Sequence, residues 1–296
     1  MTQRSVALET YRYLRGGMPV MIVMLAAAVL IERLRADCWQ TSISAYYFTS
    51  AHAVFIGAIC ATGAMFIVYR GSSDTEDVLL NLAGILMFIV AMVPTTRPVL
   101  ECGTALAPGE LELGTVIRSN VWAVVIALVA SRLASWWLHR RTNTSDQMSV
   151  LGTVAIWAQR LILAAGLATL ILAPDWFTAN AHGVAAVIMF AAMILTVFIT
   201  AFLSGRQDDT KCPNRQVYHR LYHLIAVAMV LTLTVTVALH FTLDGFNHAV
   251  LIAESALILE FGAYWTIQTI ELWRTGTRGE LISDDACTQQ RLLRAL

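Results

Sequence analysis

The segment TSISAYYFTSAHAVFIGAICATGAMFIVY, residues 41–69, passes from a polar, aromatic stretch straight into an uninterrupted apolar run. Residues 50–69 hold no Asp, Glu, Lys or Arg and show no alternation of apolar with polar side chains. About 20 such residues wound as an α-helix cross the ~30 Å hydrocarbon core of a bilayer, whereas a strand would show a period of two. The reading is a transmembrane helix with a polar mouth, residues 41–52, at its outer end.

Working outward from this span, seven further apolar runs suit membrane helices: residues 17–31, 78–94, 120–138, 150–172, 182–204, 217–240 and 247–270. The first could be a signal peptide, with Ala26, Ala27 and Ala28 as cleavage-site residues. Val29, Leu30 and Ile31 carry the run past them, so a retained signal-anchor helix is expected. Composition agrees with a membrane location, since 57% of the chain is hydrophobic and only 14% charged. The formal net charge of zero gives no reason to expect a nucleic-acid partner. The expected fold is all-α: a polytopic transmembrane bundle of about eight spans, one integral domain over residues 1–296 with a short tail at 274–296.

Basic residues set the expected orientation, because Lys and Arg are retained on the cytoplasmic side. With the N-terminus cytoplasmic, fourteen fall inside and four outside (Arg33, Arg35, Arg97 and Arg118), and Arg132 and Arg160 fall within spans. Both termini are then cytoplasmic and residues 41–52 face the exterior. Cys38 and Cys102 occupy the two longer exterior loops, where an oxidising compartment would permit a disulfide or leave two thiols.

YFTSAHAV at residues 47–54 is echoed by WFTANAHGV at 176–184. If the echo is a repeat, residues 1–145 and 146–273 are parallel halves, with His52 and His182 equivalent. Chance placement of aromatic interface anchors before small helix-packing residues gives the same pattern.

Candidate ligand-binding residues gather at the outer ends of the spans: Ser42, Ser44, Tyr46, Tyr47, His52, His182, His248 and Glu254, with Asp175, His240 and Asp244 nearby. Histidine and carboxylate are zinc ligands, but these are scattered over four spans without a tight spacing, so no metal is assigned. His219 and His223 share a helix face, four residues apart, without the glutamate of a zinc-protease motif; with Arg215 and Arg220 they read as a cationic rim that meets lipid headgroups. Charge inside hydrocarbon is costly unless paired or wetted. Arg160 and Glu260, at similar depth, are therefore expected to meet as a buried pair. Tyr264, Gln268 and Glu271 extend Glu260 into a partly polar stripe.

Residues 42–71, SISAYYFTSAHAVFIGAICATGAMFIVYRG, with NRQVYHRLYHL at 214–224 and LILEFGAYW at 257–265, resemble bacterial multi-pass membrane proteins of the DUF998/DRAM-like type. The likeness rests on a polar segment before a span and a basic residue plus glycine after it, over about a third of the chain. It implies a bacterial inner-membrane protein and no defined activity.

No phosphate-binding loop, nucleophile elbow or zinc-protease motif occurs, so no catalytic residue or cofactor is assigned. The expected role is binding or transport of a membrane lipid or small amphipathic ligand at the exterior mouth. A metal-dependent intramembrane hydrolase and a structural subunit of a membrane complex are the alternatives.

Overall fold

A computed structural model describes residues 3–95, 113–142, 148–205, 215–242 and 248–273. These form eight α-helices, α1 (Gln3–Ala36), α2 (His52–Val68), α3 (Asp74–Met92), α4 (Leu113–Thr142), α5 (Val150–Leu172), α6 (Pro174–Gly205), α7 (Arg215–Thr242) and α8 (Ala249–Glu271), with a short 3₁₀ turn at Ser44–Phe48. Seven of the eight are long and apolar enough to cross a membrane. The other, α2, has 17 residues and reaches only about 26 Å at 1.5 Å per residue. The chain is a multi-pass helical membrane protein.

Helix ends follow local chemistry. Ser73 caps α3 by accepting the Glu76 amide at 3.2 Å, and the Glu76 carboxylate reaches back to the Ser72 amide at 2.9 Å. Each satisfies an amide that the helix leaves open, and Asp74, Glu76 and Asp77 sit favourably against the positive end of the helix dipole. Ser149 caps α5 in the same way through the Gly152 amide. At the far end of α1, Asp37 takes a φ of 56°, a left-handed stop that Asp tolerates better than most residues.

The bundle is centred on α3, which packs on α2, α6 and α5. Gly63 of α2 and Gly84 of α3 let two backbones touch: a Cβ on either would lie within 2.8 Å of the other's carbonyl oxygen. Around this contact Phe66, Phe261, Trp265, Tyr69, Tyr264 and Tyr222 form an aromatic core. The outer surfaces of α4 and α5 are apolar and exposed, with Trp122, Ile126, Leu133, Leu151, Val154 and Leu161 uncovered, as lipid contact requires.

The first helix departs from expectation. Expected over residues 17–31, α1 runs from Gln3 to Ala36 and buries Arg15 at 1% exposure. Arg15 Nη1 donates to the Leu272 carbonyl at 3.0 Å, Nε and Nη2 approach the Tyr69 hydroxyl at 3.4 and 3.3 Å, and Trp265 donates to the Arg15 carbonyl at 3.1 Å. The start of α1 is thereby joined to the end of α8.

Candidate functional site

The helix ends define two faces. One carries the starts of α1, α3 and α7 and the ends of α2 and α8; the other carries the end of α1, the start of α8 and the 3₁₀ turn. On the second face, residues 41–51 fold inward as a cap. Glu254 holds it by accepting from the Ile43 amide at 2.7 Å, the Ser44 amide at 3.4 Å and the Ser44 hydroxyl at 3.2 Å. Ser42 accepts the Ala45 amide, Leu251 donates to the Thr41 carbonyl, and Ser50 donates to Glu32. Ser42, Ser44 and Tyr46 are buried. Burial holds the Tyr46 phenol above its ordinary range, partly offset by the nearby Gln40 backbone; the Glu32 charge raises it and that of Arg33 lowers it. The Tyr47 phenol is raised by burial as well.

Of the eight residues expected at the mouth, the structure joins Ser42, Ser44, Tyr46, Tyr47, His52 and Glu254 in or against this cap. His52 Nδ1 lies 2.5 Å from the Tyr47 carbonyl, with its ring edge-on to Tyr47. His248 stands at the start of α8 without a side-chain capping bond. His182 is held elsewhere, with Nδ1 2.6 Å from the Val93 carbonyl at the end of α3. Asp175 is exposed in the first turn of α6, while Asp244 and the His240 side chain lie outside the described residues. The two echoed segments differ locally: residues 47–54 leave a 3₁₀ turn and enter α2, whereas 176–184 are continuous helix within α6. Cys38 is disulfide-bonded and Cys60 is free; Cys102 lies outside the described residues. No three His, Cys, Asp or Glu side chains are grouped for a metal among the described residues.

Arg160 and Glu260 do not pair. Arg160 is exposed on α5 with its guanidinium 5.0 Å from the Trp157 ring, while Glu260 accepts from Thr232 of α7 at 2.7 Å. Ion pairs among the described residues include Arg33–Asp37 and Arg70–Asp77. Equal depth in two spans sets height, and the rotation of each helix, which decides direction, differs. The polar stripe on α8 is instead divided among its neighbours. Glu260 meets Thr232 of α7, Tyr264 meets Thr200 of α6 at 2.9 Å, Gln268 donates to Glu76 of α3 at 3.0 Å, and Glu271 accepts from Tyr222 of α7 at 2.5 Å.

Sequence reasoning missed two buried charges, Arg15 and Glu32, that the spacing contained. Arg15, Met18, Ile22, Leu25, Val29 and Glu32 recur at intervals of three and four on one face of α1. It also missed a cavity of about 530 Å³ between α3, α4, α5 and α6. The walls include Ile89, Val125, Leu163 and Ile188, with Trp176 and Phe177 at one end and Arg132 toward the other. Helix α4 touches α3 and α6 lightly and does not pack along α5, so the cavity is only partly enclosed.

Compared with known proteins, the chain matches no family model, no curated protein and no solved structure.

Proposed function

We propose that the chain binds a lipid or other amphipathic molecule within the membrane, with both termini cytoplasmic and the 41–51 cap outside. The observation that carries this reading is the partly enclosed apolar cavity of about 530 Å³ among α3, α4, α5 and α6. Its volume lies within the range of pockets that bury small ligands, and its walls are almost wholly hydrocarbon. In the cap, Glu254 and Ser42 take up the amides of residues 43–45 and the Ser44 hydroxyl, and the unpartnered Tyr46 hydroxyl is buried, so little polar surface is open there and the cavity is favoured as the place where a ligand rests. The distribution of Lys and Arg supports the orientation.

The test is native mass spectrometry of the chain released from mild detergent. The expected result is one retained amphipath per chain. Gly166 lines the cavity and a Cβ there meets nothing within 4 Å, so Gly166→Leu should fill part of the space and lower that occupancy. Bare chain alone, in several detergents that preserve the fold, overturns the reading.

A further inference from the structure

We infer that the ligand of this cavity is a single-chain anionic amphipath of the long-chain fatty-acid type, with its carboxylate against Arg132 and its chain running toward Trp176. This rests on the binding role proposed above and adds the ligand's chemistry.

Three observations converge. The first is electrostatic. Arg132 lies five residues before the end of the apolar stretch Val116–Trp137, is exposed, and lines the cavity. Three other arginines of α4 and α5 cover an aromatic ring, Arg140 at 4.1 Å from Trp136, Arg141 at 4.7 Å from Trp137 and Arg160 at 5.0 Å from Trp157, whereas Arg118, near the start of α4 and away from the cavity walls, has no ring contact among the described residues. Arg132 has no ring, hydrogen-bond or ion-pair partner among the described residues. A guanidinium against hydrocarbon is costly unless an anion or water reaches it, so a bound carboxylate is the complement that this wall lacks.

The second is the scarcity of other polar groups. Besides Arg132, the cavity walls carry the hydroxyl of Thr169, which donates to the Gly166 carbonyl at 2.9 Å, and the indole of Trp176 at the far end. One polar end and a long apolar body describe a monoacyl acid.

The third is size. The cavity of about 530 Å³ lies in the range of sites that bury one small ligand, which suits one acyl chain. From Val121 to Leu133, α4 lines the cavity over about 18 Å at 1.5 Å per residue, the reach of such a chain.

Purified chain in phosphatidylcholine nanodiscs is titrated with palmitate, methyl palmitate and phosphatidylglycerol, with bound ligand read by native mass spectrometry. Palmitate is expected to bind one per chain and to outcompete its uncharged ester at least tenfold. Arg132→Gln should weaken palmitate about tenfold while leaving the ester unchanged. Arg132→Lys should retain most of the binding, and Gly166→Leu should weaken acid and ester alike. Equal binding of ester and acid, or an Arg132→Gln variant that binds palmitate like the parent, overturns the assignment of an acid to Arg132 and leaves the amphipath-binding reading standing. Phosphatidylglycerol displacing palmitate overturns the single-chain assignment. If no amphipath binds and none is retained on purification, the inference falls together with the reading beneath it.

Discussion

Gln268, one turn before the end of α8, donates its side-chain amide to the carboxylate of Glu76 in the first turn of α3 at 3.0 Å, and both residues are 1% exposed. The bond ties α8 to the most buried helix and gives the Glu76 carboxyl group its second donor after the Ser72 amide. Gln268→Leu strands a carboxylate oxygen in the core. It should lower unfolding stability by about 1–3 kcal/mol, the usual cost of an unsatisfied buried polar group. Gln268→Glu, which sets two carboxyls against each other, should cost more. Denaturant unfolding in mixed micelles measures both, and a Gln268→Leu protein as stable as the parent contradicts the account.

The cap should depend on Glu254. Its carboxylate accepts from two backbone amides and a hydroxyl of residues 43 and 44, so Glu254→Ala opens all three. Loss of a helix-capping side chain costs about 0.5–2 kcal/mol. Hydrogen exchange over residues 43–49 should then quicken by several-fold to about thirtyfold, with little change in α3. Glu254→Gln keeps one acceptor oxygen and should fall between. Exchange at the parental rate in the alanine variant rules out this role.

Gly63 and Gly84 make a quantitative contrast with Gly183. A methyl on Gly63 or Gly84 would meet the facing carbonyl oxygen at 2.8 or 2.6 Å, so α2 and α3 must separate to admit it. Overpacking of this kind costs about 1–3 kcal/mol. A methyl on Gly183 meets nothing within 4 Å, and alanine there should stabilise by up to about 1 kcal/mol through helix propensity. Thermal melts of the three alanine variants decide it, and equal shifts at all three positions contradict the close approach.

Alkaline pH should loosen the cap. Burial raises the Tyr46 and Tyr47 phenols in the folded protein, whereas in the unfolded chain they ionise at the ordinary value of about 10. The folded state therefore holds these protons more tightly. Their contribution to stability is fully present below pH ~10 and is lost as the pH rises through the folded values. Tyr46→Phe with Tyr47→Phe should flatten that alkaline loss in unfolding experiments above pH ~10, and an unchanged slope in the double variant contradicts it.

Much of the helical plan was legible because hydrocarbon length and apolar continuity are local properties. The run at residues 150–172 coincides with α5. Ends were misplaced where polar residues belong to the helix: Asp74 and Glu76 open α3, and Pro174, a favourable first helical residue, opens α6 eight residues before the expected start. The stripe from Glu260 to Glu271 was readable as a face of α8, but its four partners come from α3, α6 and α7, and no spacing within α8 names them. The cavity was illegible for the same reason, since it lies where α4 stands away from α5 and belongs to no single segment.

The clasp between Arg15 and Leu272 bears on how the protein is made. The first helix leaves the ribosome with a guanidinium whose carbonyl acceptor is encoded 257 residues later. Until the final helix arrives, that charge has only nearer groups and headgroup water to satisfy it. Insertion can proceed span by span, but this clasp closes only once residue 272 has emerged. Chains halted before the last helix should therefore be the ones that quality-control proteases clear.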